Sequence, residues 1–206
     1  EAKTSSPSAS ASASVSSKKP EEEEIPVMEF TIDRIKLVVW DFDYTLLKLH
    51  SLHEGLVPED IAARTWADDF TDLPFFRKLI DYLKSKNIGF AIASFGRKDV
   101  IQAYLDLAFG EGVWGDRNIW TPSHAGIGGT DGEMLQYGKN VLLEGLCEEF
   151  KCEKTQVMFF DDDQANIVAA RTANFELSFN VARPSMTELI MLEASQGFGP
   201  NDWERA

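Results

Sequence analysis

Short apolar runs recur along this chain between longer amphipathic stretches, and that alternation restricts its fold more than any other feature. Residues 35–40 are apolar without period-two alternation, which suits a strand buried on both faces. Residues 75–86 place Phe76, Leu79, Ile80 and Leu83 on one helical face, and Pro74 stands where a first turn tolerates proline. Asn87 and Gly89 end that helix around the start of a second strand at 88–93. A helix follows at 98–109, a short strand at 118–121, and a helix at 140–150 with Val141, Leu142, Leu146 and Phe150 as its apolar face. A strand at 156–160, a helix at 165–172 and a strand at 175–181 complete the pattern. Such alternation predicts an α/β fold, a Rossmann-like three-layer sandwich around a central parallel sheet.

Three of these runs end on a polar residue. LVVW leads to Asp41, FAIA to Ser94 and VMFF to Asp161. In an open parallel sheet every strand C-terminus lies on one edge, and ligands bind there where the strand order reverses. Asp41, Ser94 and Asp161 should therefore converge although the chain separates them widely. Asp41 and Asp43 are two apart, so on an extended segment their side chains would project to the same side.

The cluster is rich in carboxylate, with Asp162 and Asp163 following Asp161. Crowded carboxylates persist as anions only beside cations. An oxygen-only donor set suits a hard ion such as Mg²⁺, which typically takes one or two carboxylates plus substrate phosphate oxygens. A carboxylate can also attack phosphorus to give an aspartyl-phosphate. Residues 161–163 taken alone read equally well as exposed turn aspartates. Asp41 and Asp43 tilt the balance toward a site.

The run Asp41-Phe42-Asp43-Tyr44-Thr45-Leu46 resembles the DxDxT-L signature of the haloacid dehalogenase superfamily of phosphatases. Ser94 after an apolar run resembles its second motif, and Phe159-Phe160-Asp161-Asp162 its acidic fourth motif. Lys139, opening the helix before the acidic strand, is the candidate for the lone lysine of the third. The wording VVWDFDYTLL and FFDDDQANI is similar to the small magnesium-dependent phosphatase branch, and the resemblance spans about residues 35–182. It implies a Mg²⁺-dependent phosphatase acting through an aspartyl-phosphate. Asp41 would be nucleophile and metal ligand. Asp43 would be general acid and then base, with its backbone carbonyl on the metal. Thr45 would orient the loop and Asp43. Ser94, aided by the N–H groups of Phe95 and Gly96, would hold a phosphoryl oxygen. Lys139 would neutralise the nucleophile and the transferring group. Asp161 would bind Mg²⁺ directly and Asp162 through water. Dehalogenase branches lack the second aspartate, so Asp43 favours phosphate-ester hydrolysis. The substrate would be a phosphorylated small molecule or a phosphoprotein. The competing expectation is a catalytically idle fold of this type, used as a binding module and recruited through its Ser-rich tail.

About fifty residues separate Asp43 from Ser94, and a helix and strand occupy nearly half of them. Residues 48–73 then form a loop or a helix pair, so the domain is capless or minimally capped. Residues 123–137 are a Gly-containing loop. His50 and His53 lack the third ligand a zinc site needs. His124 and the GIGG of 126–129 read as loop. Arg97 suits either a substrate anion or a solvated helix start, and Trp66, Phe70, Phe75 and Phe76 suit a substrate mouth less well than the core.

Twenty Lys and Arg against thirty-four Asp and Glu leave a net charge of −14. So acidic a surface argues against nucleic-acid or membrane-surface binding. Residues 1–29 hold three Lys and six Glu, net −3, so residues 30–206 keep −11 and the acidity belongs to the phosphatase-like domain. Residues 5–17 are almost all Ser and Ala, and four glutamates fill 21–24, a composition expected to stay disordered. A first residue of Glu1 reads as a processed product or a fragment, and the four glutamates speak against a transit peptide. No apolar stretch approaches the ~20 residues a bilayer needs. Cys147 and Cys152 make neither a disulfide framework nor a zinc site, which suits free thiols in a cytoplasmic setting.

Overall fold

The computed structural model describes residues 32–123 and 138–181. The tail assigned to 1–29, His124, the GIGG of 126–129 and everything beyond 181 lie outside the described residues. Five strands form one sheet: β1 (Leu37–Trp40), β2 (Gly89–Ala93), β3 (Ile119–Trp120), β4 (Val157–Asp161) and β5 (Leu177–Asn180). Their spatial order is β3-β2-β1-β4-β5, and every pairing is parallel. The chain builds outward from β1 on one side and then crosses to the other, so the order reverses between β1 and β4. This is the expected Rossmann-like arrangement.

Parity along β1 explains the three layers. Val38 and Trp40 face one side of the sheet, with α3 (Leu73–Ser85) and α4 (Lys98–Phe109). Leu37 and Val39 face the other, with α5 (Asn140–Phe150) and α6 (Gln164–Thr172). All four β1 residues are buried, because alternate side chains meet a different helical layer. Trp40 anchors its layer by an edge-on contact with Phe76 and a stack on Phe160.

The span after Asp43 holds two short helices, α1 (Pro58–Ala63) and α2 (Trp66–Asp69). An isolated antiparallel bridge between Leu47 and Phe70 closes it. Leu56, Ile61 and Phe70 bury into the same apolar cluster as α3 and α4. The helix pair is therefore a flank of the core rather than a separate cap. Phe76 is core as well, and Trp66 and Phe75 pack partly buried against it.

Three of the departures from the sequence reading have a local cause. β1 starts at Leu37, because a 3-10 turn at Ile32–Arg34 precedes it. α3 starts two residues early, at Leu73, because the Asp72 side chain caps it by accepting the Phe75 N–H at 2.9 Å. On α5 the buried face is Leu142, Leu143 and Leu146, whereas Val141 is exposed. At 100° per residue Val141 falls outside the stripe that Leu142 and Leu146 define.

Candidate active site

The parallel register delivers Asp41 and Asp161 to one place. Trp40 pairs with Phe160, so Asp41 leaves β1 level with the last residue of β4, and its N–H donates to the Phe160 carbonyl at 2.8 Å. Trp40 also pairs with Ile92, which brings Ser94 to the same edge two residues further on. Lys139 arrives from α5, where it is the N-cap residue. Its Nζ lies 2.5 Å from Asp41 Oδ1 and 2.8 Å from Asp161 Oδ2. Lys139 and Asp161 are 2% and 0% exposed, and Asp41 7%. An ammonium is thus clamped between two carboxylates that meet only because of the fold.

Carboxylate oxygens of Asp41, Asp161 and Asp162 all lie within 4.8 Å of one another. Burial pushes the pKa of each above the ordinary carboxylate range. The Lys139 charge draws Asp41 and Asp161 back, while Asp161 drives Asp162 further up. For Lys139, burial would lower the pKa, but Asp41 and Asp161 outweigh it and the ammonium is held above its usual value. Three carboxylates against one ammonium leave two negative charges. A hard dication matches that donor set and balances that charge, so these residues fit Mg²⁺. The Asp43 side chain is outside this oxygen cluster.

Around the cluster, each hydrogen bond fixes one carboxylate. Asn166 Nδ2 donates to both Asp161 oxygens at 3.1 Å, and the Asp163 N–H to Asp161 Oδ1 at 2.8 Å. Asp163 itself caps α6, accepting the Ala165 N–H, so the three consecutive aspartates have three different roles. Thr45 Oγ1 donates to Asp162 Oδ1 at 3.2 Å and accepts the Asp162 N–H at 3.1 Å. Of the two roles expected of Thr45, orienting the loop and orienting Asp43, its hydroxyl bonds concern the first, tying that loop to the acidic strand end.

Asp43 lies in a turn, not on an extended segment, and Tyr44 after it has φ +55°. Its carboxylate therefore meets partners of its own. The Ser51 N–H donates to Oδ1 at 2.9 Å, the Ser51 hydroxyl to Oδ2 at 3.1 Å, and His50 Nδ1 lies 3.2 Å from Oδ2 without hydrogen-bond alignment. The His53 ring stacks on His50 at 3.7 Å. Ser94 Oγ, 1% exposed as a residue, accepts the Gly96 N–H at 3.1 Å. A Cβ at Gly96 would stand 3.3 Å from Ser94 Oγ and 3.5 Å from Asp43 Oδ2, so both groups border that glycine. The Phe95 ring lies beneath Lys139 Nζ, 5.4 Å from centroid to nitrogen.

Sequence reasoning brought together Asp41, Ser94, Lys139, Asp161 and Asp162. It missed Ser51, His50 and Asn166 as partners of the two key aspartates. For Asn166 a signal existed, a polar residue turned inward on the helix right after the acidic run; Ser51 and His50 lie in a turn with no periodicity to mark them. Arg97 pairs with Asp99 on the surface. Cys147, near the end of α5, and Cys152, after it, are free thiols. Among the described residues no helix is long and apolar enough to cross a membrane.

No family model and no curated protein sequence matches the chain. A crystal structure of a hypothetical protein from Xanthomonas campestris is similar to it, with 19% identity, a TM-score of 0.44, and 82% of this chain and 77% of that chain covered.

Proposed function

We propose that this chain is a Mg²⁺-dependent phosphatase of the haloacid dehalogenase type, hydrolysing phosphomonoesters through a phosphorylated Asp41. The observation that carries this reading is the Lys139 ammonium held between Asp41 and Asp161, with Asp162 in the same oxygen cluster. A lone ion pair would need no third carboxylate, and a cluster of turn aspartates would not be buried around a lysine.

Asp41, Asp161 and Asp162 would hold Mg²⁺, which when bound screens the carboxylates and the incoming phosphate from one another. An Asp41 oxygen attacks phosphorus, and the ester oxygen leaves with a proton from Asp43. Asp43 next takes a proton from water as that water attacks phospho-Asp41, releasing phosphate and restoring the carboxylate. Lys139 offsets negative charge on Asp41 and on the transferring group throughout, and such fixed charge provides much of the catalysis in phosphoryl transfer. Ser94, with the N–H groups of Phe95 and Gly96, would hold a phosphoryl oxygen, the Gly96 N–H turning to it from the Ser94 hydroxyl. Ser51 fixes the Asp43 carboxylate by two hydrogen bonds, with His50 beside it. Because α1 and α2 pack into the core, a phosphate carried on a protein is as acceptable as one on a small molecule.

Purified protein should hydrolyse p-nitrophenyl phosphate with Mg²⁺ and stop on addition of EDTA. Unchanged turnover in Asp41→Asn would sink the proposal.

A further inference from the structure

The opposite edge of the sheet carries a feature that phosphoryl transfer does not use. A groove of about 860 Å³ opens at the N-terminal ends of the strands, between the start of β2, the ends of α3 and α5, and the loop before β3. It exists because β3 is short. β3 pairs with β2 only at Ile92 and Ala93, so Gly89, Phe90 and Ala91 extend past it on that side. The groove takes the place of the missing strand.

Its charge is opposite to that of the molecule. Lys36, Lys84, Arg117 and Lys151 line it against one carboxylate, Asp116, in a chain of net charge −14. Asp116 is already paired with Lys98, and Arg117 with Glu149. Lys36, Lys84 and Lys151 have no ion pair among the described residues. Lysines at helix C-termini complement the helix dipole, which accounts for Lys84 and Lys151. It does not account for Lys36, which lies outside any helix. Trp114 lines the same groove.

We infer that this groove is the docking site for the chain's own acidic run, Glu21, Glu22, Glu23 and Glu24. These four consecutive negative charges are the chain's longest glutamate run, and seven residues, 25–31, join Glu24 to the 3-10 turn at Ile32–Arg34 that leads to Lys36 on the groove wall. An extended connection from Glu24 to Ile32 reaches up to about 28 Å, enough to turn back into the groove. A tether this short gives an effective concentration of order millimolar, so individually weak surface contacts act together. An extended segment also suits the stretch of β2 that β3 leaves uncovered.

The test is hydrogen exchange on the full chain beside a variant with all four glutamates changed to glutamine. At low ionic strength residues 113–118 should exchange about threefold more slowly in the parent chain. The difference should vanish in high salt, since the screening length falls from about 10 Å at 0.1 M to about 3 Å at 1 M. Lys36→Glu, Lys84→Glu and Lys151→Glu combined should abolish the protection, and changing the four glutamates to lysine in that background should restore it. Equal exchange of the parent and glutamine chains at low salt would overturn the inference. So would protection that survives 1 M salt.

Discussion

Lys139 holds apart two carboxylates that would otherwise face each other out of water. Removing one partner of a buried ionic set strands the remaining charges and typically costs about 3–5 kcal/mol. Lys139→Met should therefore lower stability by about that amount in urea titrations with EDTA. Added Mg²⁺ should recover part of the loss, because the dication replaces the missing positive charge. Equal destabilisation with and without Mg²⁺ would count against the three-carboxylate cluster as its site. The two motif aspartates separate by the same logic. Asp43→Asn keeps its backbone and stays outside the oxygen cluster, so calorimetry should find Mg²⁺ affinity preserved. Turnover of alkyl phosphates should fall ~10²–10⁴-fold, the usual loss on removing a general acid–base group. Asp161→Asn removes a charge from the cluster itself, and its Mg²⁺ affinity should fall at least as far as the roughly 10–100-fold typical of losing an outer-shell partner. The convergence of Asp41 and Asp161 was legible before any coordinates, because each ends a buried strand and parallel strands share an edge. The Ser51 and His50 contacts with Asp43 were not, because they depend on a turn in which Tyr44 takes a positive φ.

Helix α5 and strand β3 approach each other more closely than a side chain allows. A Cβ on Gly145 would stand 2.0 Å from Cζ3 of Trp120. Replacing a helical glycine by alanine ordinarily stabilises by about 1 kcal/mol. Here Gly145→Ala should instead destabilise by about 1–3 kcal/mol, the usual cost of overpacking. In a Trp120→Leu background the same substitution should turn neutral or stabilising, and denaturant midpoints of the four chains would decide it. At the head of α3, Asp72→Ala should cost about 0.5–2 kcal/mol through loss of the cap to Phe75. Strands and long helices could be read from periodicity, but their first residues could not. Caps such as Asp72 act through one hydrogen bond that leaves no hydrophobic repeat. Val141 shows the same limit from the other side: an apolar residue beside a stripe looks like part of it until the neighbouring layer is in place.

The two faces of the sheet are, among the described residues, unequally supported. Among the described residues, twenty-six buried side chains form the cluster that includes α1, α3 and α4, and twelve form the one that includes α5 and α6. Sequence periodicity had marked both layers without weighing them, because the α1–α2 flank adds to only one. Regions with less buried apolar area open at lower free energy than the rest. Lys139 heads α5 and Asn166 lies on α6, so the chemistry stands on the thinner side. Gentle denaturation should consequently silence the protein before it unfolds. In a urea series turnover should decline while the near-ultraviolet signal of the buried Trp40 layer is still intact, and amides of α5 should exchange ahead of those of α3. A single midpoint for all three signals would mean that the two layers come apart as one.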